Sequence, residues 1–306
     1  MAQGPPPAAS TAAAAAAADT PAADDVLVDA VVLRRLLNGA NPPMLLDVRW
    51  VLGDRHGEEH YRAGHIPGAV YVALDRDLAG PPTPGAGRHP LPTLDALQVT
   101  ARRWGLREGT AVVVYDDNGG LAAARAWWLL RWVGVTVRIL DGALAAWRAA
   151  GFDLATSTGR SPLLAVPSGD VVLTGGHLPV LSADGAAALA RDGVLLDARA
   201  GERYRGETEP IDPRAGHIPG ALSAPTGDNL TPDGRFAAPS ALRSRFARMG
   251  AADGGPVGVY CGSGVTAAHQ IAALHIAGID AALFPGSWSA WSTDPDRPVA
   301  TGPPAG

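Results

Sequence analysis

Residues Arg62–Ala69 read RAGHIPGA, and residues Arg214–Ala221 read RAGHIPGA again. The identity extends outward as similarity. Residues 45–69, LLDVRWVLGDRHGEEHYRAGHIPGA, align with residues 195–221, LLDARAGERYRGETEPIDPRAGHIPGA. Downstream, VVVYDDNGG from Val112 matches VGVYCGSGV from Val257, and ILDGALAAW ending at Trp147 matches LFPGSWSAW ending at Trp291. Several aligned blocks at a near-constant offset mark a tandem duplication. Within each copy, short apolar runs (Met44–Val48, Val112–Tyr115, Val194–Ala198, Val257–Tyr260) have the length of buried strands. The Ala-rich stretches Ala122–Val133 and Thr266–Ala277 have a helical pattern. Strand–helix alternation predicts two α/β domains, each a mainly parallel sheet flanked by helices. The expected divisions are a disordered Ala/Pro-rich head at 1–23, domains at 24–155 and 172–300, a linker at 156–171 and a tail at 301–306.

The 306 residues suffice for two cores of ordinary size. A net charge of −5 gives no basic footprint for nucleic acid. All 25 basic residues are arginine. Without lysine there is no P-loop phosphate contact and no Schiff base. A single cysteine forms no internal disulfide, and metal sites built on paired cysteines are excluded. His56, His60 and His65 are close in sequence, but they fall in a polar, glycine-broken segment that reads as a solvated loop, so no metal is expected. The head lacks the positive n-region of a signal peptide, and no run is long enough to span a bilayer. The expected setting is soluble and cytoplasmic, a reducing compartment, with neither a nucleic-acid nor a membrane partner.

The lone cysteine, Cys261, follows the apolar run VGVY and opens CGSGVTAAHQIAALHIAG. This is a strand, a glycine-rich turn and a helix start. Free amides and the helix dipole at such a junction favour a thiolate, the nucleophilic form of the thiol. Gly262 and Gly264 are expected to let several N–H groups turn toward one sulfur. The first copy has Asp116 at the equivalent place, so the chemistry is expected in the second copy alone.

The repeat, the paired GHIPGA elements and the loop Cys261-Gly262-Ser263-Gly264-Val265-Thr266 resemble the two-domain rhodanese-type sulfurtransferases. A loop reading CGSGVT is similar to that of the 3-mercaptopyruvate sulfurtransferases, where thiosulfate sulfurtransferases have CRKGVT. The resemblance covers residues 24–300. It implies a tandem of rhodanese-like domains with the site in the cleft between them. It also implies transfer of sulfur from a small-molecule donor through a Cys261 persulfide to cyanide or a thiol acceptor, such as thioredoxin or a small thiol. No cofactor is required. The loop residues Gly262, Gly264, Val265 and Thr266 would surround the donor. Arg203, in GERYRG, matches the family's arginine for the donor's anionic group. The family's second arginine falls on Asp212 here, and Arg214 is the candidate substitute. Ser263, with His65 and Asp54, resembles the Ser-His-Asp arrangement of the mercaptopyruvate members; the identical His217 leaves a turn-forming role open for this histidine. The other readings are a thiosulfate:cyanide sulfurtransferase and a non-catalytic rhodanese-like binding protein. A cysteine phosphatase is disfavoured, because its loop ends in an arginine and Ala267 stands six residues beyond Cys261.

Overall fold

A computed structural model of the chain describes residues 20–83, 85–157 and 167–303. Two sheets are built from nine strands: β1 (Leu27–Val28), β2 (Met44–Asp47), β3 (Val70–Tyr71), β4 (Val112–Tyr115), β5 (Val137–Leu140), β6 (Val194–Asp197), β7 (Leu222–Ser223), β8 (Val257–Tyr260) and β9 (Ala282–Leu283). The first sheet has the order β1-β5-β4-β2-β3 and the second β7-β6-β8-β9. Every pairing between these strands is parallel. The central strands β4 and β8 are buried at each residue, as expected where helices cover both faces of a parallel sheet.

The repeated octet is a structural clasp. In each copy its histidine pairs by backbone with the far end of the same domain, His65 with Ala155 and His217 with Ala300. The next residue donates its N–H to a strand tyrosine, Ile66 to Tyr115 and Ile218 to Tyr260. Each octet thus ties the end of its domain to the central strand, which accounts for its survival in both copies.

The two halves share one core. The helices Ala123–Trp132 and Thr266–Ile276 pack against each other, and their alanines and Trp127, Trp128, Ile271 and Leu274 join a single buried cluster with residues of both sheets. Small side chains along both helices permit this close approach. Loops then cross in pseudo-symmetric exchange. The loop at Gly87-Arg88 reaches the second half, where the Arg88 N–H donates to Ser289 Oγ at 3.0 Å. The loop at Arg235-Phe236 reaches the first half, where the Phe236 N–H donates to Asp141 at 2.9 Å.

The edges of the expected domain plan differ in part. The helix Thr20–Val26 begins inside the stretch read as a disordered head, because Val26 is fully buried and Asp25 holds Arg131. Residues 1–19, the linker residues 158–166 and the tail residues 304–306 lie outside the described residues. The described end of the linker adheres to the first half: Gly169 donates to the Arg102 carbonyl, and Val171 and Leu173 are buried. Among the described residues no helix is long and apolar enough to cross a membrane.

Candidate active site

Cys261 stands at the carboxyl end of β8, almost fully buried, on the floor of a cavity of about 370 Å³. Open parallel sheets offer their ligand sites at this edge. The Cys261 sulfur accepts the Gly264 N–H at 3.1 Å. Gly264 has φ +80°, and a Cβ there would stand 2.6 Å from the Pro285 carbonyl oxygen, so glycine is required at this position. Gly262 does not share the left-handed conformation expected of it; its importance is its lack of a side chain facing the cavity. Val265 and Thr266 line the same cavity.

The loop is anchored from behind by a residue that sequence reading missed. Ser287 Oγ accepts the Cys261 N–H at 3.1 Å and donates to the Phe284 carbonyl. Ser287 holds φ 53°, a strained value for a non-glycine residue, at the point where the loop is fixed. Its counterpart Ala143 shares the strain with φ 55° but has no hydroxyl. Also behind the loop, Arg125 of the first half is fully buried and donates to the carbonyls of Leu78, His89, Pro90 and Gly264. Burial pulls its guanidinium down to about 10, and the Cys261 sulfur is the charge that opposes this.

A hydrogen-bonded chain reaches the loop from the first half, but through other residues than expected. Ser263 Oγ lies 2.7 Å from His89 Nδ1, and His89 Nε2 lies 3.0 Å from Asp75 Oδ1. Trp50 Nε1 donates to the same Asp75 oxygen and its ring packs edge-on against His89. Burial lowers the His89 pKa despite Asp75, so the ring is neutral near pH 7. With Nε2–H directed at Asp75, Nδ1 accepts from Ser263. The expected partners His65 and Asp54 stand elsewhere. His65 bonds the Tyr61 carbonyl through Nδ1 and stacks on the Tyr61 ring at 4.0 Å. Its twin His217 does the same with Tyr204. Asp54 holds His56 and His60, each at 2.9 Å. The His56 N–H and then the two imidazoles pull its carboxyl down to about 2. It lines the neighbouring pocket with Trp50, Arg88 and His89, while His65 is held apart on Tyr61, and among the described residues no three His, Cys, Asp or Glu side chains are grouped to hold a metal.

Aligning the two copies reveals the signal for His89. GRHPLPTLDAL, from Gly87, pairs with GRFAAPSALR, from Gly234, placing His89 opposite Phe236. A polar ring in one copy facing an apolar ring in the other marks a place where the halves have divided their roles.

Arg203 lines the cavity as expected, and Arg88 and Arg199 join it. Arg203 donates to Glu209 at 2.6 Å and to Asp212 at 3.3 Å. Arg88 pairs with the other oxygen of Asp212 across the domain boundary. Burial raises the Asp212 pKa, with Arg88 the first of the two arginines that oppose this. Arg199 is held by Asp197 and Glu209 and stacks over Trp288. Arg214 does not substitute for a missing arginine. Its guanidinium caps the carbonyls of Trp291, Ser292, Asp294 and Arg297, leaving it committed to the final helix and outside the cavity.

A family model for the rhodanese-like domain matches residues 29–150 and again residues 182–294. The chain belongs to the rhodanese family. It is 48% identical over 279 residues to SseB of Mycobacterium tuberculosis, provisionally named a thiosulfate sulfurtransferase, covering 90% of this chain and 97% of that one. It is 33% identical over 252 residues to the 3-mercaptopyruvate sulfurtransferase of Escherichia coli, covering 80% of this chain and 86% of that one. The crystal structure of SseA from Escherichia coli superposes with a TM-score of 0.74 at 30% identity, covering 86% of this chain and 98% of that one. This rhodanese is therefore an enzyme of the sulfurtransferase type.

In the first rhodanese domain the loop equivalent to the cysteine loop is filled by its own side chain. The Asp116 carboxylate is fully buried and accepts N–H groups from Asn118, Gly120, Ala122 and Ala123 at 2.8–3.0 Å. In the cysteine loop a single described amide, that of Gly264, meets the sulfur rather than the several expected, whereas four amides hold the carboxylate in the other domain.

Proposed function

We propose that this rhodanese moves a sulfane sulfur from 3-mercaptopyruvate to a thiol or cyanide through a persulfide on Cys261. The Ser263–His89–Asp75 chain carries the reading. The Cys261 thiolate attacks the donor's sulfur, forming S–S and breaking the S–CH2 bond. The electron pair leaves on the enolate of pyruvate. Ser263 and His89 take the proton from the donor's thiol and return it to the enolate, releasing pyruvate and leaving Cys–S–S⁻. Cyanide then takes the outer sulfur as thiocyanate, or a thiol takes it as RSSH, and the thiolate is restored.

Charge supports the same donor. The cavity arginines Arg88, Arg199 and Arg203 face three carboxylates, Asp197, Glu209 and Asp212, and Arg125 stands opposite Cys261. The loop adds no cationic side chain. A monocarboxylate is easier to admit than the compact dianion thiosulfate, and Arg203 is the anchor for its carboxylate. The acceptor is a small thiol or a protein thiol of the thioredoxin kind, and the setting is the reducing cytoplasm.

Turnover with both donors tests this. Mercaptopyruvate should give the higher kcat/KM, and donor without acceptor should add the mass of one sulfur, absent from Cys261→Ser. A higher kcat/KM with thiosulfate overturns the donor assignment, and near wild-type turnover by Cys261→Ser overturns the carrier.

A further inference from the structure

Arg125 is fully buried, and its hydrogen bonds go to neutral carbonyls, those of Leu78, His89, Pro90 and Gly264. Among the described residues no carboxylate pairs with it, whereas the buried Arg49 and Arg199 each hold an aspartate. A guanidinium taken out of water without an anion carries a desolvation cost that carbonyl dipoles offset only in part. The ionisable group beside it is the Cys261 sulfur. Gly264 joins the two: its N–H meets the sulfur at 3.1 Å, and its carbonyl accepts from Arg125 Nη1 at 3.1 Å.

The duplication supplies an internal control. Gly119 aligns with Gly264, and the group behind it is His269, also fully buried. Burial holds the His269 pKa down to about 4, with the Gly119 backbone opposing, so the ring is neutral. The Asp116 carboxylate, held by four amides, thus has a neutral imidazole behind its loop. The Cys261 sulfur, met by one described amide, has a cation behind its loop.

We infer that Arg125 is the buried countercharge of the Cys261 sulfur, supplied by the first domain to favour the anion as thiolate before transfer and as Cys–S–S⁻ after it. The inference rests on Cys261 as the sulfur carrier. Arg125 is a positioning residue: it touches the Gly264 and His89 carbonyls and not the donor. Through the His89 carbonyl it also steadies the segment that presents the imidazole to Ser263. The cavity arginines Arg88, Arg199 and Arg203 also face Cys261, but Asp212, Asp197 and Glu209 hold them. His89 is neutral near pH 7.

Alkylation of the full-length protein by iodoacetamide reads the thiolate without any sulfur donor. Arg125→Gln removes the charge and keeps an N–H donor for the Gly264 carbonyl; Arg125→Met removes both. Each should lower the rate about tenfold or more near pH 6, the scale on which a nearby opposite charge favours an ionised group. The deficit should shrink toward pH 9, where a thiol ionises unaided. A wild-type rate in Arg125→Gln overturns the countercharge. So does a deficit equal at both pH values, which marks a displaced loop instead. Stability gives a reading that needs no change at Arg125. Cys261→Ser leaves the guanidinium without an anion, so near pH 8.5 it should unfold at a lower denaturant concentration than wild type. Equal or greater stability overturns the pairing. In an Arg125→Met background the same replacement should lower the midpoint less; an equal drop in both backgrounds overturns the pairing too. The carrier reading fails separately: full turnover by Cys261→Ser overturns it, while a slowly alkylated Arg125→Gln with a deficit that shrinks toward pH 9 upholds the countercharge.

Discussion

Two histidines divide the labour that one was expected to perform. His65 faces a carbonyl and a tyrosine ring, while His89 faces a serine of the catalytic loop. His89→Ala should lower kcat with mercaptopyruvate by about a hundredfold or more, within the usual range for a lost acid–base group. His65→Ala should leave kcat within about twofold and lower stability by about 1–3 kcal/mol, as for a buried polar partner removed. Equal kcat losses in both would sink the assignment. The pH dependence follows from the direction of the His89 shift. Its folded pKa lies below 6.5, so the imidazole keeps its neutral, accepting form as pH falls through 6.5. The acid limb of kcat/KM attributable to His89 should therefore lie below pH 6.5, and His89→Ala should lack that limb. The linked stability has the same sign: on acidification the unfolded chain protonates first, so stability is lost as pH falls through 6.5. Cys261, the cavity-lining glycine Gly262 and Arg203 were legible because local motifs carry them. His89 was not, because its partner Ser263 is 174 residues away and the contact exists only once a loop crosses between the halves.

At the scale of elements, four central strands and the two Ala-rich helices were readable, whereas helices such as Leu94–Trp104 and the two-residue strands were not read. β4 and β8 are apolar throughout and β2 and β6 are apolar up to a terminal buried Asp, and the expected strands differ from them by at most a residue at an end. β1, β3, β7 and β9 have two residues each, too few for any periodicity to register. The proposed function assigns the two equivalent loops different tasks, catalysis to one and stability to the other. Asp116 accepts from three buried amides and the part-buried amide of Asn118. Asp116→Ala should cost on the order of 3 kcal/mol, since each orphaned buried donor costs about 1–3 kcal/mol and the loop relaxes in part. Asp116→Asn should cost less, and both should keep kcat within about twofold. Denaturant unfolding paired with turnover checks this; an Asp116→Ala protein of normal stability but lost activity would reverse the loop's role.

At the scale of the whole molecule, the proposed centre draws residues from both domains. A fragment of residues 172–300 would lack Asp75, Arg88, His89 and Arg125, and would expose the face of Thr266–Ile276 that packs on Ala123–Trp132. We expect that fragment to aggregate or to turn over donor at less than a hundredth of the full rate, a drop matching the lost acid–base and positioning groups. A soluble fragment with full activity would contradict a shared centre. The duplication was plain in the sequence; the exchange of loops was not, because reciprocity is a property of three-dimensional contact. That exchange has a corollary. Pseudo-symmetry packs Leu230, Gly234 and Phe236 over Gly119 and Gly120 in the first domain. There Phe236 takes the place of His89, Asn118 that of Ser263 and Asp116 that of Cys261. The Asp116 carboxylate oxygen stands two bonds beyond its Cβ, as the outer sulfur of a cysteine persulfide would. The molecule therefore holds a second, thiol-free counterpart of the cysteine loop, with a carboxylate oxygen standing where a carried sulfur would rest.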